Sequence, residues 1–307
     1  MSAYHLPVLA YESVNALAIK ENGIYVDATF GGGGHSKIIL EQLGDKGRLY
    51  SFDQDEDAKA NAIKDERFNF IESNFRHLKR FLRLYGVQKV DGILADLGVS
   101  SHQLDVPERG FSFRFQSELD MRMNQTGEQT AATILNTYSA AELQQVFSRF
   151  GEVRNAKSLA HKITNERSIQ SFQTISDLLR VVEPMIRGQR HKYLAQVFQA
   201  LRMEVNDEYG ALVDLLSQCI ELLRPGGRLV VISYHSIEDR LVKDFFCFGN
   251  NNGAPIKDFY GNIYRPYKIL TKKAILPDEA EIKRNSRARS AKMRIGERTE
   301  EQAPKEE

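Results

Sequence analysis

Apolar and polar residues in the first hundred positions follow a repeated strand–helix pattern. Four short runs rich in β-branched and aromatic residues, each typical of a strand, alternate with segments whose apolar residues have helical spacing. This alternation predicts an α/β fold, a doubly wound Rossmann-like parallel sheet that binds ligands at the carboxyl ends of its strands. The predicted strands are Ile24–Ala28, Arg48–Asp53, Phe68–Glu72 and Val90–Leu97, and the predicted helices are His35–Leu43, Asp55–Lys64 and Leu78–Leu84.

The pattern changes between about Pro107 and Met203, where no run is typical of a strand. Helix starts are indicated instead by the capping-box sequence that opens at Ser139 and a similar sequence at Thr174. We therefore predict an all-helical lobe inserted into the sheet domain. The predicted boundaries are residues 1–106 with 204–298 for the sheet domain, 107–203 for the lobe, and 299–307 for a disordered acidic tail.

The strand–helix pattern resumes after the lobe. An amphipathic helix is predicted at Asn206–Leu223, a buried strand at Arg228–Tyr234 and a helix at Ile237–Phe246. Two further apolar segments, Tyr264–Thr271 and Ala291–Ile295, are predicted to form a closing antiparallel pair.

Composition narrows the class of protein. The two cysteines, Cys219 and Cys247, argue against a disulfide scaffold or a cysteine-based zinc site, and no apolar run approaches the roughly 20 residues that span a bilayer. With no basic and apolar leader at the N-terminus, we expect a cytoplasmic protein. The net charge is only +1, but residues 250–298 contain 12 Lys and Arg against 5 Asp and Glu. This segment is either a phosphate-facing surface or a solvated basic face.

Three acidic or glycine-rich features lie at the carboxyl ends of the first, second and fourth predicted strands. The sequence DATFGGGGHS runs from Asp27 to Ser36, Asp53 ends the second strand, and Asp96 ends the fourth. Glycines allow close backbone approach, a helix start favours a carboxylate such as that of a methionine moiety, and Asp53 can accept both hydroxyls of a ribose. These features favour a site for S-adenosylmethionine.

Two nucleotide-binding motifs compete for the same loop. A nicotinamide fingerprint, G-x-G-x-x-G/A, needs glycine or alanine at its last position, but the two possible registers place Ser36 or Lys37 there. A P-loop needs a Gly-Lys-Ser/Thr run, which is absent from this loop. A dehydrogenase and a purely structural glycine loop therefore remain the weaker alternatives to a methyltransferase.

Motifs along nearly the whole chain resemble one known family, the bacterial small-subunit (16S) ribosomal RNA cytosine N4-methyltransferases. The chain departs from that family at HKYLAQ, which starts at His191, where a Pro-Ala-Thr-Arg-like run is more usual. The matching motifs, in order, are HLPVL from His5, DATFGGGGHS from Asp27, DLGVSS from Asp96, RGFSF from Arg109, LDMRM from Leu119, FQALR from Phe198, SYHSIEDR from Ser233 and NSRARSAK from Asn285.

The resemblance implies S-adenosylmethionine as the methyl donor and 16S rRNA, within the small subunit, as partner. No metal is expected, because the histidines are scattered and neither cysteine has a metal-ligand partner nearby in the sequence. No membrane partner is expected, because no apolar run is long enough to span a bilayer, and the oligomeric state, monomer or homodimer, stays open. Three of the implied contacts with the methyl donor have an alternative interpretation. Phe75 is typical of core packing, His35 of a first-turn residue, and Gln103 of a solvated loop residue. The implied donor contacts are Gly33, Gly34, His35, Asp53, Phe75, Asp96 and Gln103.

The exocyclic amine of cytosine needs alignment more than a strong base. We predict that Asp96 or a nearby carbonyl orients the amine. The second candidate group, for accepting a proton or holding the base, is Tyr234-His235-Ser236 at the end of the fifth strand. Asp96 and His235 are the predicted catalytic residues. Asp96 serving only the donor and His235 making only a structural hydrogen bond are the alternatives.

Four cations are predicted to contact RNA. Arg109 lies where the chain enters the lobe, among Phe residues that we expect to pack, and the other three lie in the basic segment. An RNA-binding assembly factor with weak or no catalysis and a methyltransferase for another substrate remain alternative functions. The predicted RNA-binding residues are Arg109, Arg287, Arg289 and Lys292.

Overall fold

The computed structural model describes residues 7–301. The chain forms two compact units, one built from residues up to Gly98 and from Gly210 onward, the other from Val99 to Tyr209. The start of the predicted HLPVL motif, His5 and Leu6, lies outside the described residues, as do residues 302–307 of the predicted tail. At the start of that tail, the N–H of Thr299 donates to the carbonyl of Pro266 at 2.9 Å.

The first unit is built on a seven-stranded sheet. Its first five strands are parallel to one another, and its last two are antiparallel to their neighbours. The predicted α/β fold is therefore confirmed, including the closing antiparallel pair. The strands are β1 (Ile24–Asp27), β2 (Arg48–Asp53), β3 (Phe68–Glu72), β4 (Val90–Asp96), β5 (Leu223–Ser233), β6 (Tyr267–Ile269) and β7 (Lys292–Arg298).

The order of strands across the sheet is β3-β2-β1-β4-β5-β7-β6. The chain therefore moves outward in one direction from β1 to β3 and then returns to the other side of β1 with β4. In open α/β sheets such a reversal opens a crevice beyond the carboxyl ends of the two central strands, and ligands bind there. Asp27 and Asp96 end these two strands.

The helices predicted at His35–Leu43, Leu78–Leu84, Asn206–Leu223 and Ile237–Phe246 match helices of the structure to within two residues at each end. The α-helices, in chain order, are α1 (Ala10–Ala16), α2 (Gly34–Gln42), α3 (Leu78–Leu84), α4 (Ser101–Asp105), α5 (Ala131–Thr137), α6 (Ala140–Gly151), α7 (Ala156–Arg167), α8 (Ile175–Val182), α9 (Arg190–Val205), α10 (Glu208–Leu222), α11 (Ser236–Phe248) and α12 (Glu279–Arg284).

Two predicted elements differ from the structure. The helix predicted at Asp55–Lys64 is a 3₁₀ segment at Glu56–Asn61, whose start is fixed by the Asp55 side chain accepting from the N–H of Asp57. Strand β5 begins at Leu223 rather than Arg228, because Leu223 already pairs with Val90 before an irregularity in the β4–β5 register.

The core of the first unit lies between the sheet and the helices that pack against it. Its fully buried members include Val14 of α1, Ile39 of α2, Leu94 of β4 and Val230 of β5. Burial of these apolar side chains is the main stabilising contribution to the unit, at about 25 cal/mol per Å² of apolar surface. It fixes the carboxyl edge of the sheet on which the candidate site lies.

The second unit is helical, and its extended contacts are limited to one isolated bridge between Glu118 and Thr174 among the described residues. The predicted capping boxes are both present: Ser139 starts α6 with Glu142, and Thr174 starts α8 with Asp177. Helices α6, α7 and α9 pack through apolar faces on which Phe147, Leu159 and Val197 are fully buried.

Candidate active site

The glycine loop connects β1 to α2 at the crevice. Gly31 and Gly33 have φ of +50° and +75°, a region that L-residues with a side chain rarely occupy. A Cβ on Gly33 would lie 2.9 Å from the Phe30 ring and one on Gly34 would lie 2.8 Å from Pro7, whereas a Cβ on Gly31 would meet nothing within 4 Å. Close packing against Phe30 and Pro7 thus requires glycine at positions 33 and 34, whereas Gly31 borders open space that a ligand can enter.

Helix α2 starts at this loop without a side-chain cap. Its N-cap is Gly33, which offers no side-chain acceptor, in contrast to Ser139 at the start of α6. The N–H groups of Gly34, His35 and Ser36 occupy the first turn, where a helix provides no backbone acceptor. The start of a helix also carries partial positive charge, so this turn is suited to a carboxylate.

Asp27 is buried behind the loop and holds it in place. Its carboxylate accepts from the hydroxyl of Ser36 at 2.7 Å and from the N–H of Thr29 at 3.1 Å. The Ser36 hydroxyl also lies 2.8 Å from that of Ser51 in β2. Burial raises the pKa of Asp27 to about 6. Asp27 therefore connects the loop, α2 and β2 and is not itself at the surface of the crevice.

Asp53 ends β2 beside the loop. Its Oδ2 accepts from the N–H of Gly31 at 2.7 Å, and its Oδ1 accepts from the N–H of Asp55 at 2.9 Å. Each oxygen of an ionised carboxylate has a second lone pair, so both can still accept a hydroxyl. Burial raises the pKa of Asp53 to about 6. The predicted position for recognition of a ribose is therefore held rigidly by two backbone groups.

Asp96 ends β4 and is held from two sides. Its N–H donates to the Thr29 hydroxyl at 2.7 Å, and its Oδ1 accepts from the phenol of Tyr234 at 2.7 Å. The side chain is 20 % exposed. Burial raises the pKa of Asp96 to about 6, while the His35 ring and the Tyr234 hydrogen bond act in the opposite direction. The second oxygen, Oδ2, has no such hydroxyl donor among the described residues.

His35 lies inside the protein rather than in the crevice. Its ring is 4 % exposed, and Nε2 lies 3.2 Å from the carbonyl of Val8. A carbonyl only accepts, so Nε2 carries the proton of the neutral ring, and burial lowers the pKa of His35. Nδ1 is 4.0 Å from Oδ2 of Asp96, which is beyond hydrogen-bond distance. Any contact of His35 with the methyl donor is therefore made by its backbone N–H.

His235 caps α11. Its Nδ1 accepts weakly from the N–H of Glu238 at 3.5 Å, and its Nε2 lies 3.2 Å from the Glu238 carboxylate without hydrogen-bond geometry. The structure thus gives His235 the structural hydrogen bond that was its alternative interpretation. Within the predicted group Tyr234-His235-Ser236, it is Tyr234 that contacts Asp96.

Phe75 lies just beyond the carboxyl end of β3. It begins a 3₁₀ turn whose N-cap, Asn74, donates to the side chain of Gln54 at 2.8 Å. Gln54 follows Asp53 directly, so the turn carrying Phe75 is tied to the carboxyl end of β2. The ring is partly exposed.

Two predicted site residues lie in the helical unit. Gln103 is the third residue of α4, and its side-chain oxygen accepts from the N–H of Ser100 at 3.0 Å to complete a capping box. Arg109 is 6 % exposed and its guanidinium donates to the carbonyls of Arg122 and Met123. That burial argues against the predicted RNA contact of Arg109, whose charge is used to join two segments of the unit.

The other predicted RNA-binding cations lie near β7. Arg289 is exposed and Arg287 is partly exposed, on either side of the fully buried Ala288. Lys292 is also partly exposed, with Nζ 3.4 Å from the Asp239 carboxylate that Arg294 contacts at 2.6 Å. Arg289 is thus the most exposed of the three cations.

Residues 7–301 lack two features, a cluster of metal-binding side chains and a membrane-spanning helix. Within that range there is no group of three or more His, Cys, Asp or Glu side chains that could hold a metal ion. No helix within it is both long and apolar enough to cross a bilayer.

Comparison with known proteins identifies the family. The profile described as the MraW methylase family matches residues 2–299. The chain belongs to the MraW methylase family. Proteins named ribosomal RNA small subunit methyltransferase H are similar to it over nearly their whole length. The one from Flavobacterium johnsoniae is 54 % identical over 296 residues, covering 96 % of this chain and 98 % of the relative. The one from Phocaeicola vulgatus is 53 % identical over 296 residues, covering 96 % and 97 %.

Membership of the MraW methylase family confirms the resemblance expected from the motifs and the predicted class of methyltransferase. Sequence reasoning did not place Tyr234 against Asp96 or Thr29 behind it. The order of the motifs was the available indication, because Thr29 lies in the glycine-loop motif and Tyr234 precedes His235 in the motif after β5.

Proposed function

We propose that this member of the MraW methylase family transfers the methyl group of S-adenosylmethionine to the exocyclic N4 of a cytidine in small-subunit (16S) ribosomal RNA, in the cytoplasm. The observation that carries the proposal is the Asp96–Tyr234 hydrogen bond at the carboxyl edge of the sheet, beside the uncapped start of α2. The names of the relatives supply the class of substrate.

The carboxyl edge fits the methyl donor in charge and in shape. The N–H groups of Gly34, His35 and Ser36 would hold its carboxylate, and Asp53 would accept its ribose hydroxyls. The open space at Gly31 admits a ligand against the backbone. Asp53 and Asp96 also provide negative charge near a cationic sulfonium, which favours the cation by Coulomb attraction in a partly buried site. We further propose that Phe75 packs against the adenine and that Gln103 contributes a donor contact.

When bound, the donor supplies an electrophilic methyl group on a positively charged sulfur. The reaction forms the N4–C bond and breaks the S–C bond in line, so the position of the amine decides the rate. Alignment of reacting groups lowers a barrier by as much as about 7–11 kcal/mol. The chain contributes rigidity here, since Asp96 is fixed through its N–H by Thr29 and through Oδ1 by Tyr234.

Asp96 is the group best placed to orient the amine. With Oδ1 occupied by Tyr234, Oδ2 is available to accept an N–H of N4 and direct the nitrogen lone pair. Once the N–C bond forms, N4 is cationic and releases one proton to the same oxygen. Because burial raises the pKa of Asp96 to about 6, its carboxylate is a better base than an exposed aspartate. His235, capping α11, is assigned no proton transfer.

The domains predicted from the sequence are proposed to have different roles. Residues 1–106 and 204–298 would hold the donor and the reacting base, and the helical segment 107–203 would recognise the RNA. Arg287, Arg289 and Lys292 would contact phosphates, because RNA binding depends strongly on such charge pairs. The tail from residue 299 on has no role in this proposal.

The decisive experiment supplies labelled S-adenosylmethionine with one acceptor at a time. The acceptors are small ribosomal subunits lacking the modification, deproteinised 16S rRNA, DNA and a mixture of metabolites. Label recovered as N4-methylcytidine from a ribosomal sample supports the proposal, and the better of the two ribosomal acceptors identifies the physiological form of the substrate.

The other outcomes separate the alternatives. Label in DNA or in a metabolite would identify a methyltransferase for another substrate. Tight binding to the subunit with no label in any nucleoside would identify an assembly factor. Either result would overturn the proposed reaction. The matched catalytic control is Asp96→Asn, which keeps the size of the side chain and removes its charge.

A further inference from the structure

The turn from Lys257 to Ile263 presents two aromatic rings to solvent. Phe259 is 97 % exposed and Tyr260 is 86 % exposed. Their ring centroids are 5.7 Å apart with the planes at 88°, so each ring keeps an open face. A large aromatic side chain that is almost entirely exposed is unusual, because burial of its surface would stabilise the fold.

The turn itself is ordered by its own hydrogen bonds. The Asp258 carboxylate accepts from the N–H groups of Tyr260 at 2.9 Å and Asn262 at 2.8 Å, and also from the Asn262 side chain at 2.8 Å. The N–H of Gly261, at φ +86°, donates to the Asp258 carbonyl. Lys257 and Ile263 form a bridge at the base of the turn. The rings are therefore displayed on a fixed backbone.

The base of the turn is anchored to the sheet domain. The N–H of Tyr264 donates to the carbonyl of Ile256 at 2.8 Å, and the Tyr264 ring is buried. Pro266 follows and packs closely over Gly249 at the end of α11. A contact made by Phe259 or Tyr260 is thus transmitted to the body of the unit and not to a loose segment.

The segment that carries the rings is basic in sequence, and one of its cations, Lys268, also lies 4.0 Å from the Glu297 carboxylate of β7. Between Gly249 and Pro277 the sequence has five cations and one acid, and that acid, Asp258, has both oxygens engaged within the turn. All five cations are exposed. They are Lys257, Arg265, Lys268, Lys272 and Lys273.

Exposed rings among exposed cations match the chemistry of unpaired nucleotides. Aromatic side chains stack on unstacked bases regardless of sequence, and lysines and arginines pair with the phosphates that connect them. The phosphate backbone of RNA complements the excess positive charge of this segment. A purely apolar pocket on a protein would not complement it.

We propose that Phe259 and Tyr260 form a stacking platform for unpaired bases of the ribosomal RNA substrate, with Lys257 and Lys268 holding the adjacent phosphates. The inference rests on the proposed function for the identity of the RNA. It adds a base-stacking contact on the sheet domain to the phosphate contacts proposed for Arg287, Arg289 and Lys292 and to the recognition proposed for the helical segment. The platform orients the substrate and does not touch the reacting atoms.

The test measures binding by the full chain to unmodified small subunits and to deproteinised 16S rRNA. Three double variants replace both rings, with Ala, with Leu and with Trp. The matched control is Leu84→Ala, because Leu84 of α3 is 73 % exposed in the same unit. We expect the dissociation constant for both RNA samples to rise about tenfold or more for F259A/Y260A and for F259L/Y260L. F259W/Y260W and Leu84→Ala should bind as the unchanged chain does.

Salt dependence tests the cations separately. Each phosphate contact releases about one condensed counterion when the RNA binds. The double variant K257A/K268A, which removes two such contacts, should therefore make the slope of log affinity against log salt less steep by up to about two. Donor affinity should not change in any of these variants.

Four outcomes would overturn the inference. The first is binding by F259A/Y260A within twofold of the unchanged chain. The second is unchanged affinity of F259L/Y260L, and the third is a loss of affinity for the assembled subunit alone. The second and third outcomes would show that the rings bind a pocket on a ribosomal protein. The fourth is a lower mass in sedimentation for F259A/Y260A with unaltered RNA affinity, which would identify self-association. Binding requires no methyl transfer. A chain that binds through these rings but forms no N4-methylcytidine would overturn only the proposed reaction.

Discussion

The phenol of Tyr234 donates a 2.7 Å hydrogen bond to Oδ1 of Asp96. Asp96 is the last residue of β4, and Tyr234 directly follows β5, its parallel neighbour in the sheet. The bond therefore joins the carboxyl ends of two adjacent strands at the crevice. It fixes one carboxylate oxygen and leaves the other for a ligand, so Tyr234 positions Asp96 for the role that we propose.

Replacement of Tyr234 by Phe should lower kcat without altering donor affinity. The ring and its packing remain, but Asp96 loses the hydrogen bond that holds it. A hydrogen bond to a charged group contributes about 1.5–3 kcal/mol, so we expect a loss of about 10- to 100-fold in kcat. Steady-state kinetics with unmodified subunits and calorimetry with the donor are the measurements. The control is Tyr11→Phe, on an exposed ring of α1. Unchanged kcat in Tyr234→Phe would exclude the positioning role.

The rate should depend on pH through Asp96. Burial raises the pKa of Asp96 to about 6, and only the ionised form accepts the amine hydrogen bond. Activity is then full above that pKa and falls about tenfold for each unit as the pH drops below it. A bound cationic donor favours the ionised form, so the limb in kcat should lie at or below about pH 6.

The Tyr234→Phe variant identifies the group responsible for that limb. The Tyr234 hydrogen bond lowers the pKa of Asp96, so its removal should move the acid limb of kcat to higher pH. Asp53 also has a pKa raised to about 6 but accepts from Gly31 and Asp55, so its limb would not move. The measurement is kcat against pH at saturating methyl donor. If the unchanged chain and Tyr234→Phe give the same profile, the acid limb belongs to a group other than Asp96.

How far the sequence predicts this site depends on the range of the interactions. Asp27, Asp53 and Asp96 were predictable because each ends an apolar run, and parallel strands bring their carboxyl ends to one edge. The Tyr234 contact spans 138 residues, and no local pattern separates Tyr234 from the neighbouring His235. The burial of Arg109 was likewise invisible locally, because the carbonyls that hold it belong to Arg122 and Met123.

The glycines of the loop should respond differently to alanine. Gly33→Ala combines a φ of +75° with a Cβ 2.9 Å from the Phe30 ring, so we expect a loss of about 2–4 kcal/mol in the free energy of unfolding. Gly31→Ala has positive φ but open space, so its cost should be about 1–2 kcal/mol.

Gly86→Ala provides the matched control for this series, because Gly86 has φ +73° and nothing within 4 Å of its Cβ, away from the crevice. Gly31→Ala and Gly86→Ala should lose similar stability in urea titrations. Only Gly31→Ala should also weaken donor binding, by about tenfold or more, because its methyl group enters the space assigned to the ligand. Equal donor affinity in these two variants would show that the ligand does not approach Gly31.

Asp53→Ala should weaken donor binding more than it slows the reaction. If the carboxylate accepts two ribose hydroxyls, its loss removes hydrogen bonds to a charged group, and the dissociation constant should rise about 10- to 100-fold. At saturating donor, kcat should change little, because the ribose is remote from the reacting methyl group. Glu72→Ala is the control, since Glu72 ends the adjacent strand in register with Asp53 and is exposed. Calorimetry measures both affinities, and equal weakening by the two variants would show that Asp53 acts only through the general negative charge of the edge.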